Sequence, residues 1–182
     1  MPDLNERVQI FNVHLKNVKF DSSIDVEFLA RQTPGFSGAD IANICNESAL
    51  IAARKGKHVV DKQDFLDAVD RIIGGLEKKS KIISKHEKET IAFHEAGHTL
   101  VGMSLPHTDP IHKVTIIPRG GALGITQTLP NEDMLSLTKE KANNFIAFLM
   151  GGRVAEELTF GDYTNGASND IERATELATN MV

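Results

Sequence analysis

The run His94-Glu95-Ala96-Gly97-His98 combines two imidazoles and a carboxylate at a spacing suited to metal chemistry. In a helix, two histidines four residues apart lie on one face, with Cβ atoms roughly 5 to 6 Å apart. Both rings could then reach one tetrahedral metal ion while Glu95 faces a bound water. The pattern is typical of zinc peptidases, and a chance match on an ordinary helix is the alternative.

A catalytic zinc ion needs a third protein ligand, and spacing alone does not identify it. A metzincin would have a histidine at position 104, which is Ser104, and a thermolysin-like enzyme would use an ExxxD pattern that neither Glu156 nor Glu157 starts. Both subclasses are therefore disfavoured. Asp170 lies in the first turn of a predicted helix, where it could equally serve only to complement the helix dipole. The candidates that stay open are His107, Asp109, His112, Asp162 and Asp170.

The composition excludes several other kinds of protein. The 182 residues are 41% hydrophobic, which is enough for one large or two small cores. A formal charge of -5, no Trp and a single tyrosine, Tyr163, indicate neither a basic surface nor a stacking platform, so we expect no nucleic-acid partner. The one cysteine, Cys45, excludes an internal disulfide, and we expect it to be a buried structural thiol.

Membrane-spanning and targeting segments are also not predicted. No window approaches 18 uncharged apolar residues, and the first seven residues lack the basic and apolar regions of a signal peptide. We therefore expect this chain neither to span a membrane nor to direct its own secretion.

Hydrophobic periodicity and capping residues predict four helices in residues 1–75. The stretch 76–88 is mostly charged and flanked by glycine, which predicts a solvated linker, with a basic patch as the alternative. The predicted N-terminal capping residues are Asp3 with Glu6, Asp25, Ser37 with Asp40, and Asp61 with Asp64.

Residues 89–182 are predicted to mix helices with a β-hairpin. The histidine-bearing helix is followed by strands over Ile111–Ile117 and Gly124–Leu129, and a helix then begins at Ser136 or Thr138. A capping pair, Asn169 and Glu172, predicts the last helix, which is still amphipathic at Val182. We therefore expect a mostly α chain with a small β-hairpin, cut short at its end.

The second predicted strand has a possible role in substrate binding. An exposed strand edge can pair with an extended peptide through main-chain hydrogen bonds, which tolerates varied side chains. An ordinary edge or core strand is an equally good interpretation. The residues concerned are Gly124, Ile125, Thr126, Gln127 and Thr128.

Several motifs together resemble the FtsH family of membrane-anchored, ATP-dependent zinc metalloproteases. They are Ile10-Phe11-x-x-His14, Thr33–Ile41, Phe93–Leu100, Pro118–Gly124, Gly151–Glu157 and Thr164–Asp170. The resemblance covers essentially the whole chain. It implies that residues 1–75 are the four-helix lid of an AAA ATPase, 76–88 a charged linker, and 89–182 the first part of an α+β, zincin-like protease domain.

The resemblance also implies roles for individual residues. His94, His98 and Asp170 would bind zinc, and Glu95 would be the general base that takes a proton from the attacking water. Contacts of the lid with a nucleotide would map to His14, Gly38 and Ala39. No GxxxxGK[ST] stretch occurs, so ATP would be used through a domain mostly absent here, and we expect no ATPase activity from this chain alone.

Partners and location follow from the same resemblance. The complete protein would degrade unfolded, damaged or membrane proteins as a homo-oligomer, a hexamer, anchored in a bacterial cytoplasmic or organelle membrane with this part on the soluble face. A module of another class remains as the alternative: a non-catalytic lid and oligomerisation unit that keeps a structural zinc site.

Overall fold

The computed structural model describes residues 1–78, 81–130 and 136–181. The described residues divide into two compact units, Met1–Leu76 and those from Glu77 onward. Within the described ranges there are seven α-helices, one 3-10 turn and one two-stranded antiparallel sheet, which confirms a mostly helical chain with a small β-hairpin. None of the helices in these ranges is both long and apolar enough to cross a lipid bilayer.

The first unit contains four helices: α1 (Leu4–Leu15), α2 (Val26–Arg31), α3 (Gly38–Arg54) and α4 (Lys62–Gly74). Each begins where the capping residues predict. Asp3, Ser37 and Asp61 form capping boxes with the residue three positions later, and Asp25 accepts a hydrogen bond from the backbone of Glu27. These caps satisfy backbone N–H groups that have no partner inside the helix.

An apolar cluster fills the first unit. Phe11, Leu29, Ile41, Ile44 and Phe65 are all almost completely buried in it. Cys45 belongs to the same cluster, and burial raises the pKa of its thiol to about 12, so the side chain is the unreactive structural thiol that the sequence predicts.

One carboxylate is buried beside this cluster. Asp64 is fully buried at the start of α4, where it lies 2.7 Å from the Lys55 amine and 3.0 Å from that of Lys57. Burial alone would raise its pKa, but the hydrogen bonds from the two lysines and from the backbone of Asp61 lower it to about 2. The first unit thus neutralises its buried carboxylate with its own lysines.

The second unit contains α5 (Lys85–Ser104), β1 (Ile111–Thr115), β2 (Ile125–Thr128), α6 (Lys139–Phe160), a 3-10 turn (Asn165–Ala167) and α7 (Ser168–Asn180). The strands pair antiparallel, with Thr126 opposite Val114 and an irregularity between Ile111 and Lys113. Both strands are shorter than predicted. Thr138 caps α6, which settles the choice between the two predicted starts.

The predicted linker 76–88 is not a solvated linker throughout. The helix α5 begins at Lys85, because Ser84 and Glu87 form a capping box that the sequence analysis missed. Upstream, the Lys78 N–H donates to the carbonyl of Pro118 at 2.8 Å, and Glu77 pairs with Arg119. Residues 79 and 80 of the predicted linker lie outside the described residues.

The predicted cap of the last helix is also wrong. Helix α7 begins at Ser168, and neither Asn169 nor Glu172 caps it, since its N-cap position is Ala167 with no side-chain hydrogen bond. In the preceding 3-10 turn, the Thr164 side chain accepts from the Gly166 N–H, and the Ser168 hydroxyl donates to the carbonyl of Asn165 at 2.7 Å.

Helices α5 and α6 cross at a point of very close approach. A Cβ atom on Gly97 would lie 2.3 Å from the carbonyl oxygen of Gly151, so any side chain there would collide with backbone. The crossing places α6 directly against the helix that carries His94 and His98. The two glycines therefore fix the relative position of the elements that form the site.

Candidate metal centre and active site

Three side chains from two helices meet at the candidate metal centre. The Nε2 atoms of His94 and His98 are 3.0 Å apart, and each lies 3.4 Å from Oδ2 of Asp170. In a tetrahedral zinc site with bonds of about 2.0 to 2.1 Å, neighbouring ligand atoms are about 3.4 Å apart. The three atoms therefore fit the base of a zinc tetrahedron, with one position open for water or substrate.

The other nitrogen of each imidazole is held by α6. Nδ1 of His98 lies 2.8 Å from the carbonyl oxygen of Phe148, which can only accept, so this nitrogen carries the proton. Nδ1 of His94 lies 2.6 Å from Oε1 of Glu156, whose Oε2 accepts the Thr164 N–H at 2.6 Å. These bonds leave both Nε2 lone pairs directed at the metal position.

A glycine on α6 makes room for the two imidazoles. A Cβ atom on Gly152 would lie 2.5 Å from Nε2 of His94 and 2.5 Å from Nε2 of His98. No other residue type fits at this position without moving both rings. Since Gly152 and Glu156 are four residues apart, they lie on the same face of the helix.

Burial and hydrogen bonds set the charges of the site. Burial would raise the pKa of Asp170, but the two imidazoles of His94 and His98 that face it lower the pKa to about 2, so this ligand is anionic. For His94, burial acts to lower the pKa, and the neighbouring carboxylates of Asp170 and Glu156 outweigh it and raise the pKa. The site is thus rich in carboxylates around two imidazoles, which suits a divalent cation.

Glu95 lies beside the three donors without joining them. Its side chain is buried, with 6% of the residue exposed, and its Oε2 accepts a hydrogen bond of 2.6 Å from the Thr126 hydroxyl. Burial raises the pKa of this carboxyl above its ordinary value, against the opposing effect of Thr126. A buried carboxylate with a raised pKa is suited to taking up and releasing a proton.

Comparison with known proteins identifies the second unit. Residues 81–182 match the family model described as Peptidase family M41, which is more than half of the chain. The chain belongs to peptidase family M41. Residues 23–67 also match the model of the AAA+ lid domain, which places the lid helices upstream of the M41 region.

Individual relatives carry the same two regions. The chain is 58% identical over its whole length to "ATP-dependent zinc metalloprotease FtsH" of Parabacteroides distasonis and 56% identical to "ATP-dependent zinc metalloprotease FtsH 1" of Bdellovibrio bacteriovorus. It spans 26% and 28% of the length of these two proteins. The predicted resemblance to the FtsH family is therefore confirmed.

In this M41 chain, the structure brings together one of the five candidate third ligands with the two histidines. Within the described residues, His94, His98 and Asp170 form the only group of three or more side chains that could hold one metal ion. The remaining candidates have other surroundings. His107 lies 3.9 Å from Glu140, Asp109 binds Lys141, His112 is exposed on β1, and Asp162 accepts the Tyr163 N–H.

Glu156 is a residue of the candidate metal centre that sequence reasoning missed. It was considered only as a direct ligand and set aside for lack of an ExxxD pattern. A usable signal was present: two consecutive glycines inside a helix indicate a close approach, and Glu156 lies one turn beyond Gly152 on the same face. The residue is 2% exposed, so its carboxylate had to have a buried partner.

The predicted substrate strand lies next to the base. β2 covers Ile125–Thr128, and Gly124 immediately precedes it. All four strand residues are partly buried, and one edge of the strand pairs with β1. Because the described part of the sheet has only these two strands, the other edge of β2 has no strand partner there.

The predicted nucleotide residues all lie in the first unit. His14 is exposed in the last turn of α1, while Gly38 and Ala39 open α3. A Cβ atom on Gly38 would lie 3.7 Å from Cδ1 of Ile10, one turn before His14 on α1. The start of α3 therefore packs against the face of α1 that carries His14.

Proposed function

We propose that this chain carries the catalytic centre of a zinc endopeptidase, with His94, His98 and Asp170 as the metal ligands and Glu95 as the general base. The observation that supports this most directly is the triangle of donor atoms, with sides of 3.0, 3.4 and 3.4 Å, beside a buried carboxylate that is not one of the donors. A fold of the zincin type, with two histidines on one helix, accommodates this arrangement.

The residues around the centre have separate roles in peptide hydrolysis. Zinc, when bound, supplies a Lewis acid for the attack on the peptide carbonyl. Glu95 takes the proton of the attacking water on its carboxylate and delivers it to the leaving amine. Glu156 and the Phe148 carbonyl hold the two imidazoles in the tautomer that binds metal. The low pKa of Asp170 keeps the third ligand charged at neutral pH.

Substrates are proteins presented as extended chains. The edge of β2 without a strand partner among the described residues would pair with substrate backbone through Gly124–Thr128, which selects main chain rather than particular side chains. Such recognition suits unfolded, damaged or membrane proteins. The Thr126 side chain of β2 contacts Glu95, so pairing along this edge would bring a peptide bond near the base.

The complete protein is proposed to be ATP-dependent, as the names of its relatives state for those proteins. The first unit would act as the lid of the nucleotide site, with His14, Gly38 and Ala39 nearest to the nucleotide. A homohexamer anchored in a membrane would then deliver substrate to the zinc centre. Zinc and ATP are the two cofactors of this scheme.

Replacement of the base tests the proposal. Glu95→Gln in the full-length protein should keep zinc and fold, because the amide is nearly isosteric and Glu95 is not a ligand. Hydrolysis of an unfolded protein should fall by about 10² to 10⁴-fold, the usual contribution of a general base. Glu89→Gln is the matched control on the exposed side of the same helix and should leave hydrolysis unchanged.

Two results would contradict the proposal. Loss of zinc in Glu95→Gln would make Glu95 a structural part of the metal site, and undiminished cleavage would place the base elsewhere. A wild-type protein that binds zinc and cleaves nothing would support the non-catalytic lid and oligomerisation module instead.

A further inference from the structure

The two carboxylate oxygens of Glu95 are both approached by the segment that starts β2. The Thr126 hydroxyl donates to Oε2 at 2.6 Å. A Cβ atom on Gly124 would lie 2.5 Å from Oε1 and 2.8 Å from Cγ, so only a glycine leaves room for the carboxylate in this position. The side chain of Glu95 is thus confined from a strand 31 residues away in sequence.

The metal ligands cannot supply this confinement. Glu95 has three rotatable side-chain bonds, and its neighbours His94 and His98 fix the helix backbone but not the carboxylate. Thr126, by contrast, belongs to a strand held by pairing with Val114. Its side chain is β-branched and therefore restricted about χ1, so the hydroxyl has a well-defined direction.

We infer that Thr126 is a positioning residue that orients the carboxylate of the general base through its hydrogen bond to Oε2. The inference rests on the proposed function of Glu95. Because the same strand would pair with the substrate backbone, the bond also sets the distance between the base and the bound peptide. Thr126 would then act on the chemical step rather than on substrate binding.

The chain offers a matched control for this hydrogen bond. The Thr99 hydroxyl also donates to Glu95, but to its backbone oxygen, at 2.8 Å. Thr126 makes a second contact of 3.1 Å with that same backbone oxygen. Thr99→Val therefore removes a hydroxyl bond to Glu95 without touching the carboxylate, whereas Thr126→Val removes the bond to the carboxylate with almost no change in shape.

The experiment compares Thr126→Val, Thr126→Ser and Thr99→Val in the full-length protein, measuring kcat and KM for an unfolded protein together with bound zinc. Thr126→Val should lower kcat by about 10- to 100-fold, since a hydrogen bond to a charged group is lost, with KM and zinc content unchanged. Thr126→Ser keeps the hydroxyl and should restore most of kcat. Thr99→Val should leave kcat within about threefold of the wild type.

The outcomes separate the inference from the proposed function. A wild-type kcat in Thr126→Val would overturn the inference while the wild-type enzyme stays active and zinc-bound. An equal loss of kcat in Thr126→Ser and Thr126→Val, or a loss of zinc in either variant, would show that Thr126 has a structural role. Either result would also overturn the inference. Absence of both zinc and cleavage in the wild type would remove the proposed function, and the inference with it.

Discussion

In the first unit the fully buried side chains are mainly apolar, with Phe11, Leu29 and Phe65 among them, and the buried Asp64 is paired with two lysines. The second unit buries or half-buries three carboxylates around two imidazoles. Among the described residues, none of these three has a lysine or arginine partner. They are Glu95, Glu156 and Asp170.

The two units differ in the source of the positive charge that compensates their buried carboxylates. A buried carboxylate is costly unless a cation or several donors accompany it. The first unit supplies its own cations from Lys55 and Lys57, which follow α3. The second supplies only imidazoles, so a divalent cation is the natural partner of its carboxylates. We therefore expect the first unit to be stable without metal, and the second to gain stability from zinc.

The largest expected effect concerns the apolar cluster of the first unit. Phe65→Ala should lower the free energy of unfolding of the first unit by about 3 to 5 kcal/mol, because it opens a cavity in the cluster. Phe20, 41% exposed, provides the control of the same residue type, and Phe20→Ala should cost much less. Urea unfolding followed by hydrogen exchange on α3 measures both. A loss below about 1 kcal/mol in Phe65→Ala would show that the cluster does not hold the unit together.

The next largest effect concerns the candidate metal centre of the second unit. Glu156→Gln leaves one acceptor oxygen where the His94 N–H and the Thr164 N–H each need one. Zinc affinity should fall by about 10- to 100-fold, as is usual when a partner of a histidine ligand is lost. Titration with a competing chelator measures it, and Glu157→Gln on the exposed side of α6 is the control. Equal affinity in the two variants would exclude Glu156 from the metal centre.

The smallest effect is a pH dependence confined to the first unit. The pKa of Asp64 is about 2 in the folded chain against 3.8 for the free side chain, so its contribution of about 2 kcal/mol is complete above pH 4. It is lost as the pH falls from about 4 to 2. Asp64→Asn should flatten the pH dependence of unfolding in this range, while Asp67→Asn, whose carboxylate is more exposed, should keep most of it. An Asp64→Asn variant whose stability follows the wild-type pH curve would contradict the assignment of this pH dependence to Asp64.

Local signals predicted the elements well where they were complete. The capping pairs at Asp3, Ser37 and Asp61 placed three helix starts, because a cap is decided by residues three positions apart. The start of α5 was missed because its first turn, from Lys85, is charged on all sides and carries no hydrophobic period. The Ser84 and Glu87 pair was the signal that could have corrected it.

Only the part of the site that is formed by residues close together in the sequence was predictable. His94 and His98 follow from a spacing of four, whereas Asp170 joins them through the packing of α7, which no local spacing encodes. The resemblance to a family indicated Asp170, and elimination alone did not. Glu156 and Thr126 were missed as contacts of the site for the same reason, since their bonds to His94 and Glu95 connect separate elements.

The most direct test of the central claim is a zinc titration of the full-length protein with Asp170→Ala and Asp162→Ala compared in parallel. Asp162 is a rejected candidate ligand whose carboxylate accepts only a neighbouring backbone N–H among the described residues, so it controls for the loss of one carboxylate from the same unit. We predict one zinc per chain in the wild type and in Asp162→Ala, and a large loss of affinity in Asp170→Ala. Unchanged zinc affinity in Asp170→Ala would contradict the three-ligand site.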